Sequence, residues 1–200
     1  MFPLGSVLFP SVLLPLHVFE PRYQTLVRRC LGGSREFGVV LIERGSEVGG
    51  HDVRTSVGTV AHIVDADELP DGRWVLAAVG VRRIRVNAWL PDDPHPVADV
   101  EDWPDDAPMG DLSGAYQERR ALLRRVLALK AEVGDPAVPA TLDLSDDPIL
   151  GSYQLAAVAP IGPADQQTVL ETQSVEHRLK LVGQLLADEA DFLERRLTLG

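Results

Sequence analysis

The apolar residues of this chain change their period part way along. Up to about residue 90 they form short runs or alternate, as in strands; beyond about residue 110 they recur every three or four residues, as in amphipathic helices. Strands followed by helices, rather than interleaved with them, predict an α+β protein with a β-rich lobe carrying one short helix, then an all-helical lobe of about four helices. Two proline-acid clusters separate the regimes, Leu90-Pro91-Asp92-Asp93-Pro94-His95-Pro96 and Asp102-Trp103-Pro104-Asp105-Asp106-Ala107-Pro108, with a short strand Val97–Val100 between them. The expected lobes are therefore residues 1–109 and 110–200.

Within the first lobe, Ser6–Phe9 and Val12–Val18 read as short strands. Pro15 cannot donate a ladder hydrogen bond, so its strand should be an edge or be bent there. Phe37–Ile42 is a continuous apolar run, the pattern of a strand buried on both faces. Gly58–Val64 and Arg73–Val79 are joined across Pro70-Asp71-Gly72, a hairpin signal. Val81–Leu90 alternates with one slip at Arg82-Arg83, which predicts a β-bulge. Tyr23, Leu26, Val27 and Cys30 share one helical face over Glu20–Leu31, with Pro21 in the first turn.

In the second lobe, Ser113 is the expected cap of a helix over Ala115–Val133. Its apolar face would be Leu122, Leu123, Val126, Leu129 and Val133, with Arg120, Arg124 and Lys130 in water. Asp147-Pro148 should open a second helix (Ile149–Val158) and Gly162-Pro163 a third, ending at Glu171. Thr172 or Ser174 should cap a fourth, striped by Val175, Leu179, Val182, Leu186 and Leu193.

Composition excludes several function classes. Nineteen Lys+Arg against thirty Asp+Glu leave a net charge of −11, which argues against nucleic acid and against anionic lipid as partners. No export signal or membrane-length apolar run is present, and one cysteine permits no internal disulfide, so a cytoplasmic location is expected. The only lysines, Lys130 and Lys180, each follow a leucine on a predicted helix. There is thus no Gly-Lys-Ser/Thr phosphate loop and no placement for a Ser-Lys dyad. Gly-x-Ser-x-Gly and His-Glu-x-x-His are also absent. No two of His17, His51, His62, His95 and His177 have local ligand spacing. The pairs Asp92-Asp93, Asp105-Asp106 and Asp146-Asp147 read as turn and helix-start residues. No catalytic, metal or cofactor residue is assigned. Cys30 is read as a half-buried thiol near a helix end, although Arg28 and Arg29 beside it could lower its pKa and make it a nucleophile.

The densest segment is Leu14-Pro15-Leu16-His17-Val18-Phe19-Glu20-Pro21-Arg22-Tyr23. As a binding lip it would offer Pro15, His17, Phe19, Glu20, Arg22 and Tyr23; as structure, Phe19 and Tyr23 would pack the helix entry and Glu20 would pair with Arg22. Here the chain resembles the Lon substrate-binding domain, also called the Lon N-terminal domain. The resemblance rests on Pro3-Leu4-Gly5-Ser6-Val7-Leu8-Phe9-Pro10, Leu14–Tyr23, Phe37–Leu41, the turn Arg44–Gly49, Val57–Ala61, Asp71-Gly72-Arg73 and Gly80–Arg85. Near the end it continues with Asp165–Glu171 and Arg178-Leu179.

The resemblance implies a β-rich pseudo-barrel like PUA domains, then a helical lobe. In the full protease this module precedes an ATPase and a peptidase and helps recognise unfolded or tagged substrates. The expectation is a non-catalytic binder of unfolded or extended protein segments, working alone or with a protease system. The expected route is apolar contact plus main-chain pairing at an open sheet edge. The alternative is a PUA-like binder of a small molecule, nucleotide or RNA using the strip Arg82, Arg83, Arg85.

Overall fold

A computed structural model of the chain describes residues 1–45, 52–136 and 143–199. The chain divides into two compact units, Met1–Pro104 and Asp105–Gly200.

The first unit holds β1 (Phe2–Leu4), β2 (Leu13–Val18), α1 (Pro21–Leu31), β3 (Glu36–Arg44), β4 (Val53–Glu68), β5 (Trp74–Leu90) and β6 (Val97–Asp102). They form one sheet in the order β1-β3-β4-β5-β2, with β6 beside the far half of β5. Among the described residues, only β1 and β3 run parallel (Phe2 opposite Val39), and the other pairs are antiparallel. Phe37–Leu41 is buried without a break, and β2, carrying Pro15, is an edge strand as its proline requires. The inward side chains of both sheet ends and the apolar face of α1 make one core, including Phe2, Leu4, Val18, Tyr23, Leu26, Phe37, Ile63 and Leu76.

Two strand expectations are corrected. Ser6–Phe9 is not a strand; the N-terminal strand is Phe2–Leu4, and the following loop is held by the Thr59 hydroxyl, which donates to Leu8 O at 2.6 Å. The bulge falls at Val81 rather than Arg82-Arg83: Val60 faces Arg82 while Ala61 faces Gly80. The cause is Gly80, whose carbonyl accepts from Ser11 N–H (2.7 Å) and whose N–H donates to Val12 O (3.0 Å). A Cβ there would lie 2.2 Å from Phe9 O, so only glycine permits this approach. Val81 and Arg82 then both face outward, and Arg83 and Ile84 inward. Of the turn Arg44–Gly49, residues Ser46–Gly49 lie outside the described residues.

The second unit contains α2 (Ser113–Glu132), α3 (Pro148–Val158), α4 (Pro163–Glu171) and α5 (Val175–Leu199). Asp147 caps α3, its carboxylate accepting from Ile149 N–H at 2.9 Å. Ser174, rather than Thr172, caps α5 by accepting from His177 N–H. Ser113 is the first helical residue of α2, not its cap; Asp111 accepts the Ser113 N–H instead. The buried seam of α2 is Tyr116, Leu123, Val126 and Leu127, so Leu122, Leu129 and Val133 lie at its margin. The margin also takes Arg120, expected in water, whose side chain is half-buried beside Tyr116.

Arg178 of α5 is 0% exposed. Its guanidinium donates to Ser152 Oγ (2.8 Å), Tyr153 Oη (2.9 Å), Thr172 O (3.0 Å) and both oxygens of Asp105 (2.7 and 3.2 Å). Asp105 is thus a half-buried counter-ion to Arg178 rather than a turn residue. Gln167 donates to Glu171 one helical turn on, at 2.8 Å. Arg178 therefore ties α5 to α3 and to the segments at Asp105 and Thr172, while the Gln167–Glu171 bond stays within α4.

Candidate functional site

The sheet begins at β1 and ends at β2, and the two ends face each other across a cleft of ≈ 200 Å³ lined by Phe2, Leu4, Leu16, His17, Phe19 and Tyr23, among others. Strand alternation builds one wall. Leu14, Leu16 and Val18 turn toward the core, while Leu13, Pro15 and His17 face out. The chain then leaves the sheet at Phe19, and Pro21 starts α1 with its φ already helical. Glu20 O receives the N–H groups of Tyr23 and Gln24, and the Gln24 amide donates to Phe19 O at 3.1 Å. These bonds fix the corner while the Phe19 ring stays 57% exposed. On its other side lies a smaller depression of ≈ 80 Å³ against Arg73 and Trp74. Phe19 is therefore an exposed apolar ridge, on a pinned corner, between two hollows.

The six residues singled out in the sequence separate into three groups. Pro15, His17 and Phe19 are exposed on the edge and corner. Glu20 and Arg22 pair with each other at 3.1 Å, half-buried, and the Arg22 guanidinium lies 4.6 Å from the Tyr23 ring centre. Tyr23 belongs to the core rather than to a lip. It is 3% exposed and stacks on Phe2 at 4.1 Å, and burial pushes its hydroxyl pKa up to about 12. It forms the floor of the cleft and keeps its proton. Phe2, Leu4, Leu16 and Val18 complete the lining. The sequence marks Val12–Val18 as a strand without assigning its inward face, and nothing local marks Phe2 and Leu4 as neighbours of Leu16 and Val18.

The other candidates are placed elsewhere. Cys30 is buried and its thiol donates to Glu36 O; burial raises its pKa, against the lowering that Arg28 and Arg29 suggest. Those arginines turn away, Arg28 to Glu68 and Arg29 to the Asp93 carbonyl and the ring of His95. The arginine strip forms no continuous cationic groove. Arg82 pairs with Glu36 and Asp102, Arg85 pairs with Glu101 and lies over Trp103, and Arg83 is buried. Among the described residues, no group of three or more His, Cys, Asp or Glu side chains could hold a metal ion, and no helix is long and apolar enough to cross a membrane. His51 lies outside the described residues.

Comparison with known proteins agrees with this architecture. The family model of the ATP-dependent protease La (LON) substrate-binding domain matches residues 1–188. Lon protease 2 of Herpetosiphon aurantiacus is 28% identical over 194 residues, covering 96% of this chain and 24% of that protein. Lon protease of Escherichia coli K12 is 28% identical over 197 residues, covering 94% and 24%. The chain thus spans about a quarter of the length of the curated relatives it matches. Among solved structures, a Lon N-terminal domain protein from Xanthomonas campestris superposes with a TM-score of 0.69 at 31% identity, covering 93% of this chain and 95% of that one. The N-terminal domain of the Mycobacterium avium complex Lon protease shares the fold at a TM-score of 0.64 and 15% identity, covering 93% and 97%.

Proposed function

Because the chain belongs to the Lon protease substrate-binding domain family, we propose that it holds exposed apolar or extended segments of other proteins without cleaving them. The observation that carries this reading is Phe19, an exposed ring on a pinned corner between two hollows, at the end of an edge strand without carboxylates, lysines or arginines. Apolar contact supplies affinity, and the pinned corner means that little order is lost on binding. Presentation of the held segment to a protease system belongs to the same proposal. The second reading, a PUA-like binder of a small molecule, nucleotide or RNA, has less support. Its arginines are neutralised by acids or buried, and ≈ 200 Å³ falls below the roughly 300 Å³ at which small-molecule sites begin.

The test is a titration of the intact chain with a labelled, permanently unfolded protein such as reduced, carboxymethylated ribonuclease. Saturable binding is expected, weakened about tenfold by Phe19→Ala, the effect of losing an interface anchor. The thermal transition should barely move, since the ring packs little of the core. No saturation at high micromolar protein, or unchanged binding by Phe19→Ala, overturns the reading.

A further inference from the structure

Resting on that reading, we infer that the held segment adds to the free edge of β2 as an antiparallel strand, seating one aromatic or leucine side chain in the cleft. The ladder parity selects the groups that would receive it. Gly80 N–H donates to Val12 O, and Leu13 faces Val79 next along, so Leu14, Leu16 and Val18 spend their main-chain groups on β5. Leu13, Pro15 and His17 point theirs the other way, where no described residue meets them. That edge offers three carbonyls and the N–H groups of Leu13 and His17; Pro15 contributes no N–H.

Edge strands are normally guarded by charge. β6 is guarded in this way, carrying Asp99, Glu101 and Asp102, whereas Leu13–Val18 holds no carboxylate and no lysine or arginine. Pro15 removes one of the three donors on that edge and leaves two N–H groups and three carbonyls open to pairing. Residues directly opposite each other share a face. On the added strand, the residues facing Leu14, Leu16 and Val18 therefore point into the cleft over Phe2 and Tyr23. An apolar hole of about 150 Å³ accepts benzene, so ≈ 200 Å³ suits one ring or leucine side chain. Charge selects the flanks. Asp65 and Asp67 lie two strands from Pro15 and His17, across Ala77 and Val75, about 10 Å away, with no ion pair among the described residues. A segment with basic flanks and a chain of net charge −11 are complementary.

This geometry predicts a main-chain code. Residues flanking the anchor must donate their N–H to the edge, while the anchor's own N–H points away. The probe is a labelled, end-capped peptide, Lys-Thr-Val-Thr-Phe-Thr-Val-Thr-Lys, titrated with the intact chain by fluorescence anisotropy and then N-methylated one position at a time. N-methylation of either threonine beside the phenylalanine should weaken binding about tenfold or more, since it removes a ladder bond and clashes with the edge. N-methylation of the phenylalanine should leave binding within about twofold. A flat scan, the opposite phase, or no binding of the parent peptide while unfolded ribonuclease binds overturns the strand-addition inference and leaves the broader reading standing. Failure of both ligands to bind overturns that reading itself.

Discussion

The guanidinium of Arg178 makes a sharp test of how the helical unit is held. It has no contact with water and is met by a hydroxyl from Ser152, another from Tyr153, the Thr172 carbonyl and both oxygens of Asp105. Asp105→Ala removes two charge-assisted bonds, each worth about 1.5–3 kcal/mol, and takes from Tyr153 its acceptor. It also leaves a cation in a low-dielectric interior with only neutral partners. Breaking a buried pair in this one-sided way costs about 3–5 kcal/mol. Against a total stability of about 5–15 kcal/mol, such a variant is marginal. The assay is urea unfolding followed by far-ultraviolet circular dichroism, which reports the helices. Asp105→Ala should lose about 3–5 kcal/mol, and adding Arg178→Met to it should recover at least about 1 kcal/mol, because the stranded charge is gone. A loss below about 1 kcal/mol for Asp105→Ala, or a double variant less stable than Asp105→Ala alone, refutes the reasoning.

Other consequences follow from burial elsewhere. Cys30, its pKa raised by burial, should react with a thiol reagent far more slowly than a free thiol at mildly alkaline pH and at full rate in denaturant; rapid native labelling would show the thiol to be accessible. Burial, reinforced by Arg29, holds the His95 imidazole below its ordinary 6.5, and the neutral ring accepts from Arg29 through Nε2. Below that pH the unfolded chain takes up a proton that the folded chain refuses. Stability should therefore fall as pH drops from neutrality toward 5, and His95→Asn should flatten that slope in pH-dependent melting curves. Gly58→Ala would put a Cβ 2.1 Å from Val39 O, a backbone clash at a sheet pair, and should destabilise by about 3 kcal/mol or more in the same urea assay.

Much of the architecture was legible because local chemistry dictates it. The α5 stripe from Val175 to Leu193, the α1 face from Tyr23 to Cys30, the Asp147-Pro148 and Gly162-Pro163 helix starts, and Pro15 on an edge all follow from period, capping and a missing donor. The bulge was legible but misplaced by one residue, because its position depends on how Phe9–Val12 crowds Gly80, a contact remote in sequence. In the candidate site, Phe19 stood out as an aromatic at a strand-to-helix corner. Tyr23 shares the same candidate lip, but its place on the apolar face of α1 turns it inward, and stacking on Phe2 makes it floor rather than ridge.

The amino-acid order alone determined most of the strands and helices, and that it holds no phosphate loop or Ser-Lys dyad, since these depend on spacing and on side chains present or missing. Tertiary structure decided that Phe2–Leu4 lies along β3 and faces β2 across a cleft, and that Asp105 finds Arg178 seventy-three residues away. Periodicity shows that a face will be buried but not against what; the partner is chosen when the whole chain closes on itself, and closing a longer loop adds little cost.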